Sequence, residues 1–128
     1  MKIYGIGTDI VSCARIDRLW SLHGRHFAKK ILSLTEVNIL EKLTGNQVAF
    51  LAKRFAGKEA VAKALNIGFR DNIFLTQISI ENDVQGKPHI VFYGPTKKYV
   101  ENLADLQVDI SLSDEHDYAV AFVIVSTK

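Results

Sequence analysis

The chain has 128 residues, 48% of them apolar, and a net charge of +2 at neutral pH. That composition excludes a disordered protein, and the length predicts one domain, 1–128, large enough to bury a core. A single cysteine, Cys13, excludes an internal disulfide framework and a cysteine-based zinc site.

In chain order, Ile3–Val11 is a short apolar run broken by Gly5 and Gly7, read as a buried strand. Ser12 is placed to cap a helix reaching about Leu22, with Ile16, Leu19 and Trp20 inward. Ser33–Glu36 has capping-box spacing ahead of a second helix ending near Leu43. The longest helix runs from about Gln47 to Leu65. Beyond Gly68, Ile73–Glu81 and His89–Tyr93 read as paired strands. Pro95 opens a helix to about Leu106, and Val108–Ser113 and Tyr118–Ser126 read as strands around the turn Asp114–Asp117. Helices and hairpins come in separate blocks, which predicts an α+β fold: a mainly antiparallel sheet packed with the long helix. The longest apolar run, Ala119–Val125, is too short to span a bilayer, and no signal peptide is evident. No membrane association and a cytoplasmic location are therefore expected.

The charge is unevenly spread. Arg15, Arg18, Arg25, Lys29 and Lys30 fall in one stretch with a single acid, Asp17. This is either a solvated face or a surface for an acidic partner. No nucleic-acid-binding signature accompanies it. His23, His26, His89 and His116 have no metal-ligand spacing.

Chemistry concentrates on the long helix. On a helical wheel, Ala52, Ala56, Ala60 and Ala64 form a small-residue stripe that lets another backbone come close. Arg54 and Lys58 fall inside the apolar sector. Either both snorkel from the core's rim, or an anion sits between them. Glu59 and Lys63 have the order of a surface salt bridge. Alternatively, Glu59 pairs with Asp9, a plain turn residue otherwise, to give two carboxylates for magnesium. Lys63 would then meet a phosphate oxygen.

Three segments together resemble a known family. Gly5–Val11 with Arg15–Ile16, the run Phe50–Leu65 and Gly86–Pro88 are similar to the holo-acyl-carrier-protein synthases, small 4′-phosphopantetheinyl transferases. Ser111–Ile124 resembles their last hairpin. The resemblance implies a 4′-phosphopantetheinyl transferase-like fold and a magnesium-dependent transfer of the 4′-phosphopantetheine group from coenzyme A to a serine of apo-acyl carrier protein. Adenosine 3′,5′-bisphosphate would be released, and the step would serve fatty acid biosynthesis. By the same resemblance, Asp9 and Glu59 bind the metal, and Glu59 and Lys63 are catalytic. Arg54, Lys58, Lys63, Gly68 and Pro88 serve coenzyme A, while Arg15, Arg18, Arg25 and Lys29 meet the carrier. A homotrimer with active sites between subunits is implied as well. Asp109 stands where many members have histidine, and Asp114 where a second one is common. This departure keeps a non-catalytic carrier-protein or coenzyme-A-binding module as the alternative. Asn66 replaces a glycine after the long helix, a change that the left-handed tolerance of asparagine makes mild.

Overall fold

Strand β1 (Lys2–Ser12) opens the chain in the computed structural model, which describes residues 1–68 and 73–128. Ser12 caps the next helix as expected: its hydroxyl accepts from the Arg15 amide (3.3 Å) to start α1 (Cys13–His23). Gly24, at a φ of 52°, separates α1 from α2 (Arg25–Ile31). Sequence reading missed α2. Seven residues with no capping side chain give little signal, and the buried pair Ala28 and Ile31 is its only trace.

Ser33 and Glu36 form the expected capping box at the start of α3 (Leu34–Lys42). The long helix α4 (Gln47–Ala64) then crosses the molecule. It closes with Asn66 at a φ of 64°, whose amide donates to the Lys63 carbonyl while the Ile67 amide reaches back to Ala62 (both 3.1 Å). Asparagine thus takes the left-handed position that a glycine often fills.

The strand expected from Ile73 begins only at Ile78. Ahead of it lies a short 3-10 turn (Leu75–Gln77), because this segment bonds to Thr96 instead of a strand. The Phe74 amide donates to Thr96 Oγ1, and Gln77 Oε1 accepts from the Thr96 amide. β2 (Ile78–Asn82) and β3 (Pro88–Phe92) form an antiparallel hairpin, followed by α5 (Gly94–Leu103), β4 (Leu106–Asp114) and β5 (Tyr118–Thr127). The expected end of α5 at Leu106 is already the start of β4. The main sheet is antiparallel, in the order β1-β5-β4, so the α+β expectation holds.

The core lies between this sheet and α4. Alternate β5 residues Ala119, Ala121, Val123 and Val125 are buried against it. The alanine stripe does what its spacing suggested. A Cβ added to Gly5 or Gly7 would stand 2.0 Å from the Ala64 carbonyl oxygen or 2.1 Å from that of Ala60. Only glycine in β1 lets the strand lie this close to the helix. The expectation that β1 is buried needs correction. It is an edge strand, and its outer face exposes Ile6 and Ile10 at 61% and 62%, beside Tyr118, Val120 and Phe122 of β5. No helix among the described residues is long and apolar enough to cross a membrane.

Candidate active site

The close seat of β1 on α4 determines what stands next to what. Asp9 pairs in register with buried Ala121, so it shares the face of the sheet that carries α4. Lys63, in the last turn of α4, reaches across to it. Its Nζ donates to Asp9 Oδ1 (3.0 Å) and to the Thr8 carbonyl (2.9 Å). The i, i+4 pair of Glu59 and Lys63 suggested a salt bridge along the helix, but the lysine is held instead by the strand opposite.

Glu59 is half-buried beside this pair. Burial pushes its carboxyl above the usual range, and the nearby Asp9 carboxylate pushes it further, while Lys63 and Arg15 pull it back. Arg15 arrives from the first turn of α1, its guanidinium 5.7 Å from the centre of the Phe55 ring. Two carboxylates, a lysine and an arginine from β1, α1 and α4 therefore converge at one edge of the sheet. Asp9 and Glu59 repel each other there, and Lys63, the cation beside Asp9, keeps a side chain that is 55% exposed. Such a carboxylate pair fits magnesium, which takes one or two carboxylates and completes its shell with phosphate oxygens and water.

Arg54 and Lys58 are a correction. The family resemblance assigns both to coenzyme A, and the wheel leaves either an anion between them or both snorkelling from the core's rim. Lys58 is instead wholly buried, its Nζ donating to Glu36 Oε1 (2.5 Å), the Ile31 carbonyl (2.5 Å) and the Leu75 carbonyl (3.0 Å). Arg54 is 5% exposed, donates to the Ile80 carbonyl (3.2 Å), and stacks on the Phe50 ring at 4.3 Å. Its Nε is 3.8 Å from Glu36 Oε2. Burial lowers the pKa of both groups, with the Glu36 carboxylate opposing the shift. Protein acceptors take the place of the anion that the wheel suggested. Glu36 is the functional group that sequence reasoning missed: its capping-box role was legible, its burial against Lys58 was not.

The remaining residues are spread out. Arg15, Arg18, Arg25 and Lys29 are exposed on α1 and α2, with Arg25 pairing to Glu41 of α3 (3.3 Å). Gly68 lies just past the end of α4, and Pro88 begins β3 opposite Asn82. Asp109 pairs with Ile124 on the outer face of the sheet, the face away from α4, and accepts from Gln107 Nε2 (3.2 Å). Asp114 forms an ion pair with Lys53 (3.2 Å).

A β1–α4 seam that joins an aspartate to a glutamate and a lysine one turn apart defines a class. The chain belongs to the 4′-phosphopantetheinyl transferase superfamily, whose sequence profile matches residues 5–123. Within it, relatives similar over nearly the whole chain are holo-[acyl-carrier-protein] synthases. The chain is 46% identical over 126 residues to the holo-[acyl-carrier-protein] synthase of Halorhodospira halophila, covering 98% of each. It superposes on the crystal structure of holo-[acyl-carrier-protein] synthase from Neisseria meningitidis with a TM-score of 0.91 at 42% identity, covering 98% of this chain and 99% of that one. It also matches the holo-(acyl-carrier-protein) synthase of Bacillus anthracis in complex with CoA (3′,5′-ADP), at a TM-score of 0.83 and 30% identity, with 100% of both chains covered.

Proposed function

We infer that this chain is a holo-[acyl-carrier-protein] synthase. It transfers the 4′-phosphopantetheine group of coenzyme A to a serine of apo-acyl carrier protein, with adenosine 3′,5′-bisphosphate as the leaving product. The observation that carries this reading is the Lys63–Asp9 contact beside Glu59, on the motifs shared with the family. We read residues 1–128 as one domain acting in the cytoplasm, in the service of fatty acid biosynthesis.

Asp9 and Glu59 would hold magnesium, which when bound neutralises charge on the pyrophosphate of the coenzyme. Lys63 would turn its ammonium from Asp9 to an oxygen of the transferred phosphate. The serine hydroxyl attacks the phosphorus that carries the pantetheine arm. Its proton leaves to a base beside the carboxylates, and the bond to the nucleotide's phosphate breaks. Positive charge fixed beforehand is worth most here, because the leaving phosphate gains negative charge as that bond lengthens. Arg15, Arg18, Arg25 and Lys29 present a basic face from α1 and α2 to an acidic carrier. Gly68 and Pro88 are assigned to the coenzyme by family resemblance; Arg54 and Lys58 are not, since Glu36 and backbone carbonyls engage them.

The apolar outer face of β1 and β5 suits a homotrimer that places active sites between subunits. Ile6 and Ile10 stand more than half exposed there, a costly arrangement for a chain left alone. Asp109 lies on the same face, so it would meet a neighbouring copy.

The test is conversion of apo-acyl carrier protein to the holo form with coenzyme A and magnesium, read as a mass increase on the carrier. An authentic synthase acting on the same carrier serves as control. Glu59→Ala is expected to abolish the mass shift while the circular dichroism spectrum stays that of a folded chain. Full activity in that variant removes Glu59 from the machinery.

A further inference from the structure

The buried ion pair links two parts of the reaction. Lys58 directly precedes Glu59 but points about 100° away around α4, into the core, where Glu59 is only half-buried. Its ammonium donates to the carbonyl of Ile31, the last residue of α2, and to Glu36 on α3. Glu36 in turn accepts from the Ser33 amide (2.9 Å) through the same oxygen and from the Ile80 amide (2.8 Å) through the other. Ser33 and Ser79 add a hydroxyl contact at 2.6 Å. The chain from the end of α2 to the start of α3 is thus wrapped around one lysine of the catalytic helix. The basic face of α2 and the Glu59–Lys63 face of α4 share this anchor.

We propose that Glu36, through Lys58, is a positioning residue that fixes the carrier-docking helix α2 against the catalytic helix α4. Helix α2 has seven residues and no side-chain cap, so it has little stability of its own to set its orientation. The Lys58 ammonium is a charged donor placed at its carbonyl end, where a cation suits the helix dipole. The capping box then turns the chain directly into α3. Removing the Glu36 charge leaves the lysine without its counter-ion, and the α2–α3 junction loses the acceptor around which it is folded. The proposal rests on the reading that α1 and α2 dock the carrier.

The experiment is a double-mutant cycle with separate KM values for carrier and coenzyme A. Glu36→Gln keeps the side chain's shape but gives the Lys58 and Ile80 donors one acceptor oxygen fewer. It is expected to raise KM for apo-acyl carrier protein about tenfold and to leave KM for coenzyme A within about twofold. A variant that merely unfolds part of the sample lowers the apparent kcat and moves neither KM. Arg25→Ala with Lys29→Ala tests the docking reading by itself. An unchanged KM for the carrier in that variant overturns the docking reading, and the proposal with it. If that variant raises KM for the carrier and Glu36→Gln does not, only the proposal fails. When both raise it, combining them should give less than the product of the two effects, and full multiplicativity overturns the proposal. Should Glu36→Gln not fold, Glu36→Leu with Lys58→Met replaces the ion pair by apolar side chains that can keep the core intact. It is expected to raise KM for the carrier in the same way, and an unchanged KM there overturns the proposal equally.

Discussion

Lys58 and Lys63 stand five positions apart on one helix, and their surroundings give them opposite work. Lys58 is wholly buried with a carboxylate and two carbonyls fixed around it. Lys63 is mostly exposed and touches one carboxylate and one carbonyl that it can leave. The first is satisfied inside the protein and has nothing to offer a substrate. The second keeps donors turned toward solvent, in the company of a glutamate whose proton affinity is raised. Residue type gives no means to tell them apart; the partner across the gap does. For Lys58 that partner is Glu36, in the core, and for Lys63 it is Asp9, on an edge strand.

The contrast is tested most sharply by making the same substitution twice. Lys58→Met leaves Glu36 buried with no cation at hydrogen-bonding distance, and is expected to cost about 3–5 kcal/mol of stability. Urea denaturation reads this as a lower midpoint. Lys63→Met removes a partly exposed pair and should cost no more than about 1 kcal/mol. Its effect belongs to turnover: a fall of about 10²–10³ in kcat is expected, the size of one lost charge-stabilising donor. If Lys58→Met is the milder of the two in urea, the burial argument is wrong. If Lys63→Met keeps full kcat, the lysine is no more than a strap on Asp9.

A smaller effect should come from the strand side. Gly7→Ala would bring a Cβ to 2.1 Å from the Ala60 carbonyl oxygen, which is backbone and does not swing away. β1 must lift off α4, at an expected cost of about 1–3 kcal/mol. Asp9 lies two residues on, so the lift also parts it from Lys63. Activity should therefore fall further than the lost stability accounts for. Equal losses in both would mean that the seam supports the fold and does not set the site.

Much of this seam is legible in the sequence. The alanine stripe on α4 and the glycines of β1 are complementary patterns, each visible in its own stretch. The caps at Ser12 and Ser33 are local, decided by residues three apart, and the structure keeps both. What escaped was decided at a distance. The wheel placed Arg54 and Lys58 correctly in the apolar sector, but their counter-ion sits 22 residues before Lys58, where Glu36 already had a local explanation as a capping residue. A residue with one sufficient role hides a second. β1 read as buried because its run is apolar, yet half of that run faces outward from an edge strand. Helix α2 left no pattern because its seven residues carry no capping side chain and bury only Ala28 and Ile31.

The smallest expected effect separates the two faces of α4 by what each can bind. Magnesium should act on the open face alone, since the Glu36 carboxylate is already filled by Lys58 and by amide donors. A ligand that binds only the folded chain stabilises it by RT ln(1 + [L]/Kd), about 1.4 kcal/mol at ten times Kd. For a domain of this size that is a rise of about 5 °C in Tm. Asp9→Asn should lose the rise, because it removes one of the two carboxylates that repel each other across the seam. The variant with Glu36→Leu and Lys58→Met should keep it, whatever its own Tm in the absence of metal. A magnesium shift that vanishes there and persists in Asp9→Asn would move the cation to the wrong side of the helix, and with it the division of labour between the two lysines.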